Sequence, residues 1–98
     1  MQLAFQKAEV TPDYVRLGIT QLWEAEKFPF KIRIGLTARP SKPEVFYWTV
    51  LGTYIKPDVA LLHGKSPKRL QAEDEATKAL ESLLVDLKDW VYYAKENL

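Results

Sequence analysis

The residues best equipped for chemistry lie between positions 27 and 69. Lys27, Lys31, Arg33, Arg39, Lys42, Lys56, Lys65, Lys68 and Arg69 stand there against only Glu44 and Asp58, an excess of seven positive charges. Phe28, Phe30, Phe46, Tyr47, Trp48 and Tyr54 are interleaved with them. Cations neutralise phosphates and ring faces stack on unpaired bases, so this composition is that of a nucleic-acid surface. Lys31, Arg33, Arg39, Lys42, Lys65, Lys68 and Arg69 form the candidate phosphate-facing set, with Tyr47 or Trp48 as the stacking ring. The same residues have a plainer use. Lysine on exposed strands blocks sheet-to-sheet association, and aromatics on a central strand usually fill the core.

The flanks carry the opposite sign. Lys7 and Arg16 face Glu9, Asp13, Glu24 and Glu26 in residues 1–26, and residues 70–98 hold seven acids against three lysines. The formal net charge of +1 is therefore a cancellation and excludes little.

Catalytic constellations are missing. There is no Gly-x-Gly-x-x-Gly, phosphate-binding loop, Gly-x-Ser-x-Gly or His-Glu-x-x-His. The chain has no cysteine and one histidine, so it has no thiol nucleophile, disulfide, or cysteine- or histidine-based metal cluster. His63, the one side chain that ordinarily titrates near neutrality, is read as a surface residue at a strand end. Glu73-Asp74-Glu75 falls in the early turns of a helix, where acids favour the macrodipole. No enzyme activity, cofactor, metal or small-molecule substrate is expected. The start, Met1-Gln2-Leu3-Ala4-Phe5-Gln6-Lys7, lacks the pattern of a signal peptide, and no apolar run is long enough for a membrane span. The expectation is a cytoplasmic chain without membrane contact.

These residues need elements to position them. The 98 residues, 47% of them hydrophobic, suit one domain, 1–98. Six prolines divide the first 64 residues and the helix start into short β-branched and aromatic runs, the mark of strands. Residues 3–10 read as a strand, closed by a Thr11-Pro12-Asp13 turn. Residues 14–23 read as a strand with Val15, Leu17, Ile19 and Trp23 on one face. The alternative is a helix with Thr11 as N-cap and Pro12 at its first position, so 11–27 stays open between the two. Residues 30–37 alternate cleanly, with Ile32, Ile34 and Leu36 on one face and Lys31, Arg33 and Gly35 on the other. Residues 38–44 form a loop. Residues 45–55 are the strongest strand, with Phe46 and Trp48 on one face and Tyr47 and Thr49 on the other. Lys56-Pro57-Asp58 reads as a turn, and 59–63 as a short last strand ending at Gly64.

From Ser66, an N-cap before Pro67, the period becomes 3.6. Ala76, Leu80, Leu83, Leu87, Trp90 and Ala94 form an apolar stripe that runs to the end of the chain without proline or glycine. Such a helix, 66–98, is longer than a small sheet can cover, so part of it is expected to kink or project. Val85, Tyr92 and Tyr93 lie off the stripe. A helix apolar on two sides is usually buried on two sides, which makes these three the candidate contacts to a protein partner or a second copy. The fold class is α+β: an antiparallel β-meander of four to five strands in residues 1–64, then one long C-terminal helix on one sheet face.

Gly64-Lys65-Ser66-Pro67-Lys68-Arg69, followed by Ala72, Ala76 and Ala79-Leu80, resembles the end of a double-stranded RNA-binding domain. There a glycine-ended strand leads into a helix whose start carries basic residues for phosphates. The likeness covers a short stretch, departs at the acidic Glu73-Asp74-Glu75, and is generic enough to carry no family assignment. The order of meander and helix is also similar to that of small single-stranded-DNA-binding folds, as an analogy of fold only.

Two functions follow. The first is a non-enzymatic nucleic-acid-binding protein acting through residues 27–69. The alternative is a small protein–protein accessory factor (adaptor, inhibitor or assembly subunit) acting through the C-terminal helix or a sheet edge.

Overall fold

A computed structural model describes residues 1–52 and 60–97, with side chains through Asp89. Its elements are β1 (Gln6–Ala8), α1 (Pro12–Arg16), β2 (Ile19–Lys27), β3 (Phe30–Thr37), β4 (Val45–Gly52), β5 (Ala60–Ser66) and α2 (Arg69–Asn97). The five strands pair antiparallel in sequence order, and α2 packs against β3, β4 and β5. This is the expected α+β meander with one C-terminal helix.

Strand alternation divides the sheet into two faces. Phe30, Ile32 and Ile34 on β3, Trp48 and Val50 on β4, and Trp23 on β2 are buried with Ala72, Ala76 and Leu80 of α2. The small Ala72 and Ala76 let the helix backbone sit close to the sheet. Leu3 and Phe5 pack against this core from the N-terminal segment. Register places Trp23, Ile34, Trp48 and Gly64 in one cross-strand row. A Cβ on Gly64 would lie 2.5 Å from the Trp48 ring, so the missing side chain is the space that the indole fills.

Four expectations are corrected. Residues 12–16 are helical: Pro12 presets the first helical φ, and Val15 and Leu17 are exposed rather than in line with Trp23. Gly18, at φ 85°, ends the turn and donates its N–H to the Val15 carbonyl. The register of β2 on β3 then shifts between Ile19 and Gln21, and this bulge turns Ile19 to the face opposite Trp23. The first strand is confined to Gln6–Ala8, where it pairs with β2. Gly64 lies inside β5 rather than at its end, because Trp48 needs it there. Finally, Ser66 is the last residue of β5 and α2 begins at Arg69; the Ser66 hydroxyl accepts a long 3.5 Å contact from the Lys68 N–H. The end of the expected strand 45–55, the Lys56-Pro57-Asp58 turn and the start of the last strand lie outside the described residues.

The stripe on α2 leaves the sheet before it ends. Leu80 is fully buried and Leu83 and Leu84 half-buried, but Leu87 and Val85 are exposed. Leu87 is thus not a core residue, because the sheet does not reach that far along the 29-residue helix. Among the described residues, no helix is long and apolar enough to cross a membrane.

Candidate nucleic-acid interface

The face of the sheet away from α2 carries the odd-numbered residues of β3 and β4 and, on β5, His63 and Lys65. Register aligns Glu24, Arg33, Thr49 and His63 in one row, and Leu22, Gly35, Tyr47 and Lys65 in the next. Lys31 lies beside Glu26 and Leu51. The α1 turn covers the β2 side of this face and its Tyr14 reaches Arg33 on β3, while Tyr47, His63 and Lys65 remain exposed.

Two of the cations are partly neutralised. The Arg33 Nε–H donates to Glu24 Oε1 at 3.0 Å, and Nη1 donates to the Tyr14 hydroxyl at 2.7 Å. Lys31 Nζ lies 3.7 Å from Glu24 Oε2. Burial alone would lower the Arg33 pKa, but the Tyr14 hydroxyl and the Glu24 carboxylate outweigh it and hold it above the usual arginine range. Arg33 is therefore a fixed cation, stacked over the Tyr14 ring at 5.7 Å.

The loop between β3 and β4 supplies two more. Ser41 adopts φ 68°, and the Lys42 N–H donates to the Arg39 carbonyl, which closes a turn. The Arg39 guanidinium lies over the bare Cα of Gly18: a Cβ there would meet Nη2 at 3.5 Å. Among the described residues, Arg39, Lys42 and Lys65 make no ion pair. Arg39 and Lys42 border a groove of about 460 Å³ with Tyr14, Leu17, Ile19, Thr37, Pro43, Val45, Tyr47 and Thr49. A hollow of about 340 Å³ near β1 is lined by Lys7 and Lys31 against Glu24 and Glu26, so its charges balance.

The structure thus brings Lys31, Arg33, Arg39, Lys42, Tyr47 and Lys65 to one side. It places Trp48, Lys68 and Arg69 on the other. Trp48 is 8% exposed, and its Nε1–H donates to Glu75 Oε2 at 3.2 Å; it cannot serve as a stacking platform, because Gly64 and α2 enclose its ring. Arg69 lies over the Trp23 ring at 5.0 Å and 3.8 Å from Glu73. Lys68 borders a separate hollow with Gln21, Trp23 and Leu36. Val85, off the apolar stripe, is exposed on α2, while the side chains of Tyr92 and Tyr93 lie outside the described residues.

Sequence reading missed Tyr14, Glu24 and Thr49. The signal for Tyr14 was Thr11-Pro12, a helix start that would have turned its ring toward β3. Glu24 meets Arg33 only through the β2–β3 register, which the hairpin determines. Glu73, Asp74 and Glu75 do not converge: Asp74 pairs with Lys78, and Glu75 accepts from Trp48 and Gln71. Among the described residues, no cluster of three or more potential metal ligands occurs. Compared with protein-family models, curated proteins and solved structures, the chain has no match in any of the three.

Proposed function

We propose that this chain binds nucleic acid through the open face of its sheet. One observation carries the reading: Lys31, Arg33, Arg39, Lys42 and Lys65 share the side that α2 leaves uncovered, with the exposed Tyr47 ring among them. Glu24 and Glu26 are the acids facing them on β2, so the face keeps a positive balance. Fluorescence anisotropy with labelled DNA and RNA at low salt tests it. Binding that weakens steeply with salt is expected, and no binding at micromolar protein would overturn it.

Glu24 gives the reading a sharper test. Its carboxylate offsets two of the five cations, so Glu24→Gln is expected to tighten binding several-fold. It should steepen the salt dependence by about 0.7 units of log K per log salt, the amount one phosphate contact contributes on a single strand. The cost in stability is about 1 kcal/mol, since the pair is only partly buried. A Glu24→Gln protein that binds no better would remove Lys31 and Arg33 from the interface.

A second reading rests on α2. Val85 is 57% and Leu87 43% exposed on different sides of the helix beyond the sheet, and an accessory protein or a second copy seated on either side would cover apolar surface there. Val85→Lys with Leu87→Lys is then expected to lower the sedimentation coefficient of any self-associated form while leaving the melting curve in place. An unchanged sedimentation profile counts against this reading.

A further inference from the structure

We infer that the groove beside Tyr47 receives one unpaired nucleotide, so that the open face selects single strands over duplex. This rests on the nucleic-acid reading above and specifies its substrate. The lining is the first argument. A surface that only meets phosphates needs cations, not a hollow. Here the hollow is lined by Tyr14 and Tyr47 and by Leu17, Ile19 and Val45, and its volume of about 460 Å³ falls in the range of sites that hold small ligands. The part of a nucleic acid that fits an apolar, tyrosine-lined concavity is the face of a base, and a duplex keeps those faces in its stack.

The rim is the second argument. Arg39 and Lys42 border the same groove and make no ion pair among the described residues. They present positive charge where a nucleotide's phosphate would lie once its base is against Tyr47. The Arg39 guanidinium lies beside Gly18, which puts that charge at the rim of the groove. Thr49, opposite Arg33 on the neighbouring strand, supplies a hydroxyl for a base edge.

The test compares three labelled probes at one salt concentration: an oligothymidylate of about 12 nucleotides, a hairpin duplex of similar length, and an abasic strand with the same number of phosphates. The oligothymidylate is expected to bind at least about tenfold more tightly than the other two, the scale of one base–ring stack. Tyr47→Ala should remove that advantage and leave duplex and abasic binding as they were, while Tyr47→Phe should keep it. Thr49→Trp, which fills the groove, should act like Tyr47→Ala; if it fails to fold, the two Tyr47 variants carry the test. Equal affinity for all three probes, or a Tyr47→Ala protein that keeps the preference, overturns the groove assignment and leaves the nucleic-acid reading standing. No binding of any probe at low salt overturns both.

Discussion

Gly64→Ala is expected to be among the most destabilising single-methyl additions in this chain. The new Cβ would lie 2.5 Å from Cε2 and Cζ2 of Trp48 and 2.6 Å from Nε1. Those atoms belong to the body of a buried indole, not to the free end of a flexible side chain. The ring has little room to withdraw: it is packed in the core cluster with Ala72, Ala76 and Leu80, and Glu75 accepts its Nε1–H. Overpacking of this kind costs about 1–3 kcal/mol. Moving the ring also strains a hydrogen bond to a carboxylate, worth about 1.5–3 kcal/mol when intact and less at a partly exposed site. A total near 3 kcal/mol is expected, which for a chain of this size lowers the melting temperature by about 12–24 °C. Thermal melting by circular dichroism measures it. Trp48→Phe shortens the ring on the side facing Gly64, so Gly64→Ala should cost less in that background than in the native one. Equal cost in both backgrounds would mean that the Gly64–Trp48 contact is not the cause.

Reversing Arg39, Lys42 and Lys65 to glutamate is expected to weaken nucleic-acid binding by more than about a hundredfold at low salt. These are the three cations of the open face without an acidic partner among the described residues, and all three are exposed. If each meets one phosphate, the three together supply about 2 of the fall in log affinity per decade of salt, and the triple variant's slope is expected to be shallower by at least that amount. Folding should be little affected, because exposed substitutions away from special backbone sites usually change stability by less than about 0.5 kcal/mol. Lys68→Glu with Arg69→Glu is the control. Both residues are exposed and basic but sit on the helix side of the sheet, so this pair should change the affinity far less. An equal loss from the two sets would place the contact somewhere other than the open face.

What could be read from the residues alone followed the strength of each local pattern. Phe30–Thr37 was legible in its limits and its facing, because large apolar residues occupy every second position there, with Lys31, Arg33, Gly35 and Thr37 between them. The start of β4 and the helical character of α2 were legible for the same reason. Residues 11–27 were not, since β-branched Val15 and Ile19 suggest a strand while Thr11-Pro12 starts a helix. The chain does both in succession, and a bulge then shifts the phase. Gly64 was read as a stop because a glycine after a short apolar run resembles one. Its purpose appears only when Trp48 is seen across the strand. That same pairing explains why Trp48 and Tyr47 could not be ranked from the sequence. Each sits on an alternating face of an aromatic strand, and the choice of which enters the core is made by a residue sixteen positions away.

The alternation along β4 separates two sets of constraints. Phe46, Trp48 and Val50 answer to the helix, and Tyr47 and Thr49 to the open face. Substitutions at Tyr47 and Thr49 can change what that face presents without disturbing the core, whereas a one-residue insertion in this strand would exchange the two sets and forfeit both at once.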